Sequence, residues 1–168
     1  HILTRVNFSY KPENPDYTYA ISRIEIKGLL GGTAKYTFDK NDGAWDTTNA
    51  TEGKSYSYSI ASSPEKDGEY YKLDDTNGSL MLLPQAAAGI TIEVTYTTKS
   101  GDHTFFTGTK AVTLPAETPA WGIGQNIRYK LALPVGGEAI DFDTDVNNWN
   151  SETGNEVTPD TPVTPPAA

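Results

Sequence analysis

The feature that most limits how this 168-residue chain folds is a period of two in its apolar residues, repeated along most of its length. Ile127, Tyr129, Leu131 and Leu133 alternate with Asn126, Arg128, Lys130 and Ala132, and Ile90, Ile92, Val94 and Tyr96 form a second clear series. Successive side chains of a strand point to opposite faces, so such runs predict strands with one dry and one wet face. Ile2, Thr4, Val6, Phe8 and Tyr10 predict a first strand, stopped near Pro12 and Pro15 because proline removes ladder donors. A second is expected over 19–28, with Ala20, Ile24 and Ile26 on one face, before a turn at Gly31-Gly32. Ala34, Tyr36 and Phe38 predict a short strand, and Tyr56, Tyr58 and Ile60 another against Ser55, Ser57 and Ser59.

Turn chemistry fills the gaps. Residues 39–53 read as a polar loop whose one large side chain, Trp45, is expected to lie as a lid over the core. Residues 69–74 read as a further strand, and Asn77-Gly78 is a strong hairpin signal. Leu80 to Leu83, stopped by Pro84, reads as a strand buried on both faces. Ala86 to Ala88 allow one helical turn and no more. Lys99-Ser100-Gly101-Asp102 joins the series ending at Tyr96 to residues 104–114 as a hairpin. Beyond Pro134 to Gly137, Ile140 and Phe142 restart the alternation, closed by Trp149. Many short strands at close spacing, with no 20-to-50-residue repeat, predict an antiparallel β-sandwich.

Composition changes once. Residues 150–168 hold no aromatic side chain and end in the Thr-Pro run TPDTPVTPP, which favours extended polyproline conformation and builds no core. The expected organisation is one domain over 1–149 and an extended arm over 150–168. Val157 and Val163 are the arm's possible anchors, while Pro159, Pro162, Pro165 and Pro166 remove ladder donors. The chain begins at His1, as expected of a processed chain or an isolated domain.

Charge narrows the partners. Thirteen basic against 22 acidic residues give a net charge of −9, which disfavours nucleic acid and anionic lipid. No window reaches the roughly 20 apolar residues of a membrane span. Cysteine is absent, so no disulfide scaffold or thiolate metal site exists. His1 and His103 have no metal-ligand spacing and no nucleophile partner. Asp141, Asp143 and Asp145 match the start of a calcium loop, but Val146 stands where its glycine belongs, and an acidic strand edge with Phe142 and Val146 packed inward is the better reading. Asn7, Asn49 and Asn77 open glycosylation triplets that are common by chance in a Ser/Thr-rich chain. No enzyme and no cofactor are predicted.

Four stretches together resemble the fimbrillin family, the type V pilins and related surface lipoproteins of anaerobic Gram-negative bacteria. They are the opening HILTRVNFSY; Leu83-Pro84-Gln85 ahead of Ile90–Tyr96; the pair Trp121 and Gly124 ahead of the strand of Tyr129; and a closing pattern of Ile140, Phe142, Val146 and Trp149. The resemblance implies a transthyretin-like, Greek-key β-sandwich. Family members usually carry two such domains, and this chain resembles one, the C-terminal one. It further implies a structural or adhesive subunit at the outer-membrane surface that assembles by strand addition with other pilus subunits, with host or cell-surface glycans or proteins as further partners. The competing expectation is a carbohydrate-binding sandwich module, for which two or more coplanar aromatics in one groove would be the sign.

Overall fold

A computed structural model describes residues 1–38, 43–60, 64–74 and 79–148. Asn77-Gly78, Trp149 and the arm with Val157 and Val163 lie outside the described residues. Twelve strands are described: β1 (Thr4–Pro12), β2 (Thr18–Gly32), β3 (Lys35–Thr37), β4 (Ala44–Asp46), β5 (Ala50–Ser59), β6 (Lys66–Asp67), β7 (Tyr70–Lys72), β8 (Leu80–Leu82), β9 (Thr91–Ser100), β10 (His103–Thr113), β11 (Gln125–Leu133) and β12 (Asp141–Asn148). The described residues contain no helix, and Ala86 to Ala88 form none.

Two sheets face each other. The front sheet runs β12-β11-β1-β7-β6, with β8 also paired to β1, and the back sheet runs β10-β9-β2-β5. A two-stranded ribbon, β3-β4, stands beside them. This is the predicted all-β sandwich. The hairpin of β9 and β10 forms as expected. One pairing departs from the antiparallel rule: β1 and β11 run parallel, from Arg5 opposite Asn126 to Pro12 opposite Leu133. Sequence periodicity reports which face a side chain takes and is silent on which strand lies alongside.

The core lies between the sheets. The inward rows of β1 (Val6, Phe8, Tyr10) and β11 (Ile127, Tyr129, Leu131, Leu133) meet those of β2 (Ile21, Ile24, Ile26, Leu29) and β9 (Ile92, Val94, Tyr96). Gln85 ties the two layers together. Its side-chain amide accepts from Leu30 N–H (2.7 Å) and donates to the carbonyls of Leu30 (3.1 Å) and Leu83 (2.9 Å), standing in for a strand neighbour beside β2. The Gln85 carbonyl in turn accepts from Trp121 N–H at 2.8 Å.

Several expected details differ. In β2 a register shift between Ile21 and Arg23 inserts one residue, which turns Ile21 inward in place of Ala20. The strand also continues through Gly31-Gly32, where a turn was expected. Gly28 and Gly32 have φ of +84° and +92°, conformations open to glycine, and further register shifts against β5 absorb the bend there. Phe38 lies past the end of β3 and is 83% exposed, and Ile2 precedes β1 and is exposed too. Met81 is 48% exposed because it points to the face of β8 away from the core, opposite to Leu80 and Leu82, so the Leu80–Leu83 run is not dry on both sides. Val146, expected inward, is 51% exposed: β12 is an outer strand, and its Phe142 end is what reaches the core, edge-on to Tyr129.

These positions predict different costs for similar truncations. Leu131→Ala, in the centre of β11, should lose about 2–5 kcal/mol of unfolding free energy, and Val146→Ala no more than about 0.5 kcal/mol. Urea denaturation of both variants checks the contrast.

Candidate functional site

The two histidines stand apart. His1 precedes β1 and His103 opens β10, at opposite poles of the sandwich. No group of three or more His, Asp or Glu among the described residues is placed to hold a metal ion. Asp141, Asp143 and Asp145 stand opposite Ala132, Lys130 and Arg128 across the β11–β12 ladder, and Asp145 binds Lys130 at 2.7 Å. That hydrogen bond raises the Lys130 pKa above the ordinary lysine value. The acidic row therefore answers a basic row across the sheet.

The outer face of the front sheet holds a polar groove of about 510 Å³. Arg128 spans it, donating to both carboxylate oxygens of Asp74 (3.0 and 2.9 Å), to the Phe8 carbonyl (2.9 Å) and to Ser9 Oγ (3.0 Å). This fork holds the segment after β7 against β1. Beneath it Asn7 and Asn126 are buried, joined by an amide contact of 2.6 Å. An asparagine so enclosed is no glycosylation acceptor, which removes the Asn7 triplet, whereas Asn49 is exposed. Within the groove the Arg128–Asp74 pair braces the fold.

A second cleft, of about 250 Å³, opens on the flank between β8 and the back sheet, at the pole where β1 begins. Leu3, Leu30, Ala34, Trp45, Met81 and Leu83 line it. Trp45 was expected on a loop and instead sits in β4. It packs against Tyr36 (5.2 Å between ring centres) and donates to the Ile2 carbonyl at 2.6 Å, half-buried over the opening of the chain. Among the described residues β8 pairs only with β1, and its Met81 and Leu82 line this cleft.

At the opposite pole a third cleft, of about 610 Å³, is lined by tyrosine and proline. Tyr10 stacks on Tyr71 (5.2 Å, 23°) and on Tyr19 (6.3 Å, 28°), and Tyr19 on Tyr96 (6.0 Å, 8°). Burial, with Tyr71 and Tyr19 adding, pushes the Tyr10 hydroxyl up to about 12. Burial raises Tyr96 and Tyr129 as well.

Four residues of the sequence motifs come together around β11. Trp121 is 3% exposed and donates to the Tyr129 hydroxyl at 2.9 Å. Tyr129 packs between Phe8 and Phe142. Gly124, at φ +68°, donates to the Leu3 carbonyl at 3.1 Å, tying the start of the chain to the start of β11. The Gln85 bracket and the Arg128–Asp74 fork have no signature in the sequence, because each joins residues about 55 positions apart through side-chain geometry alone.

No family model and no curated protein matches the sequence. Solved structures do. The crystal structure of a fimbrial protein from Bacteroides vulgatus aligns with 89% of this chain at a TM-score of 0.56 and 16% identity. That of a candidate cell adhesion protein from Bacteroides ovatus aligns with 91% at 0.51 and 18% identity. The chain spans about half the length of each, 55% and 47%. At such identities the likeness is one of fold, and at that level it agrees with the resemblance read from the strand motifs.

Two outcomes follow from the site geometry. Tyr10 binds its proton more tightly folded than unfolded, where the ordinary value is about 10. Stability should therefore be full below pH 10 and fall as pH rises toward 12, and Tyr10→Phe should flatten part of that fall in urea midpoints. Arg128→Lys keeps the charge but loses the fork, and should cost about 1 kcal/mol in the same measurement at neutral pH.

Proposed function

We propose that this chain is a structural or adhesive subunit of a bacterial cell-surface fimbria, joined to its neighbours by β-strand addition. The observation that carries the proposal is the open flank beside β8. A three-residue edge strand borders this cleft, and Met81, Leu30, Leu3 and Trp45 along it offer contacts for the alternate side chains of an incoming strand. The likeness in fold to a Bacteroides fimbrial protein supports the same reading. In this proposal residues 1–149 are the sandwich domain, residues 150–168 are the arm offered to a neighbour, and Val157 and Val163 are the arm's apolar side chains. The location that goes with it is the outer surface of the cell.

The glycan-module reading draws less support. The groove with most aromatics has its tyrosine rings stacked on one another, so their faces are occupied and no flat row is left for a sugar. Trp121, a second sugar platform on paper, is buried.

Light scattering across concentration tests assembly. The full chain should self-associate, while a chain ending at Asn150 and the flank variant Met81→Asp should both remain monomeric. A full chain that stays monomeric at every concentration sinks strand addition between copies.

A further inference from the structure

The Arg128–Asp74 fork uses only part of the polar groove on the outer face of the front sheet. The floor of that groove is Arg5 and Ser9 of β1 with Arg128 and Lys130 of β11. One wall is the β6–β7 hairpin, with Asp67, Tyr70 and Lys72, and the other is Asp145 and Asn147 of β12. Four of the chain's 13 basic residues line it, and no aliphatic side chain does. Its volume of about 510 Å³ falls within the roughly 300–1,000 Å³ of small-ligand clefts.

Two donors at its centre are unspent. Ser9 is 2% exposed and its Oγ accepts from Arg128 at 3.0 Å, yet its own proton meets no acceptor among the described residues. Lys72 is half-buried and forms no ion pair among the described residues. The strand register sets Ser9 opposite Lys72 on one side and Lys130 on the other, one spacing of about 4.8 Å to each. Tyr71, Phe8, Tyr10, Tyr129 and Leu131 turn toward the core, so these three alternate with them and share the outer face. The remaining floor cation beside them, Arg128, is answered by Asp74, and Lys130 by Asp145. A buried hydroxyl and a partly buried ammonium side by side favour one anionic acceptor.

The walls ask for something else. Asp67 and Asn147 present oxygens that accept from hydroxyl groups. A bare anion gains nothing from them, and a neutral sugar gains little from Lys72. We propose that the groove binds a sugar carrying one carboxylate, of the uronic or sialic acid class, with the carboxylate at Ser9 and Lys72 and the ring hydroxyls toward the walls. An acidic peptide fits less well, because a groove without aliphatic side chains leaves nothing apolar for it to cover. The net charge of −9 disfavours polyanions. A single carboxylate responds to the nearest lysines, since exposed charges beyond about 8 Å are largely screened at physiological salt. Recognition by charge needs no aromatic platform, and the Tyr70 ring is already taken by Lys11 and Lys130, each 5.3 Å from its centre. The inference rests on the adhesive part of the proposed function, to which it gives a ligand, and makes no use of strand addition.

The test titrates the isotope-labelled full chain, kept dilute enough to be monomeric by light scattering, with methyl glucuronoside, methyl glucoside, acetate and a triglutamate peptide. The glucuronoside should give saturable amide shifts at Ser9, Lys72 and Lys130, and the other three should bind at least about tenfold more weakly. Lys72→Met keeps the length of the side chain and removes its charge. It should weaken the glucuronoside about fivefold to tenfold and leave the urea midpoint unchanged, because Lys72 braces nothing. Lys54→Met, on the exposed β5, should leave the affinity unchanged. Acetate binding as tightly as the glucuronoside overturns the sugar, and glucoside binding as tightly overturns the carboxylate. Tighter binding of triglutamate makes the groove a peptide site and overturns the proposal. No saturable shift with the glucuronoside, or equal losses from Lys72→Met and Lys54→Met, overturns the site itself. Self-association is read separately by light scattering, so strand addition stands or falls apart from these results.

Discussion

Eight backbone pairs join β1 to β11 side by side, and they form only once both ends of the domain are present. Arg128 reaches the Phe8 carbonyl across 120 positions of sequence. Closing a loop of that length costs on the order of 4 kcal/mol plus a constant. The inward rows of the same two strands offset it: Phe8, Tyr10, Ile127, Tyr129, Leu131 and Leu133 are all buried, each stabilising by roughly 1.5–3 kcal/mol. A pairing this non-local also slows folding, since the entropy is lost before the contacts form. The remaining strands build outward from this pair, β12 on one side and β8 with β7 on the other.

The two sides differ, and the difference creates the candidate sites. On the β12 side a full ladder of eight pairs, with Lys130 bound to Asp145, extends the sheet. On the other side β1 meets only fragments: β8 against Thr4–Val6 and β7 against Ser9 and Tyr10. Gln85 and the Arg128–Asp74 fork hold those fragments in place by side-chain hydrogen bonds where a continuous strand would use its backbone. The flank stays open between them, with a cleft beside Met81 and Trp45 at one pole and one lined by tyrosine and proline at the other.

Much of this was legible in the sequence. Alternation in 90–96 and 127–133 placed the two central strands and their inward residues, because both lie between well-covered neighbours and burial follows the period of two. The reading failed where an edge or a bulge intervened. Met81 and Val146 sit on outer strands with one side uncovered, so an apolar residue there does not imply burial. Ala20 and Ile21 exchanged faces because one extra residue in β2 resets the alternation, and a bulge of ordinary residues leaves no mark in composition. Of the candidate sites, the arm's Thr-Pro run was visible and the tyrosine cleft was not. Tyr10, Tyr19 and Tyr71 come from three strands that meet only in the folded chain.

The geometry of β12 has a mechanical side. It enters the sheet at the pole where β1 ends and leaves at the pole where β1 begins. A pull on the chain beyond Asn148, with the rest of the molecule held at the far pole, runs along the strand and perpendicular to its hydrogen bonds. All eight rungs then share the load and must fail together, as in a lap joint under shear, instead of opening one after another like a zip. A domain so built transmits tension through its outermost strand without unravelling from it, and the same strand pulled sideways from its end would peel away at far lower force.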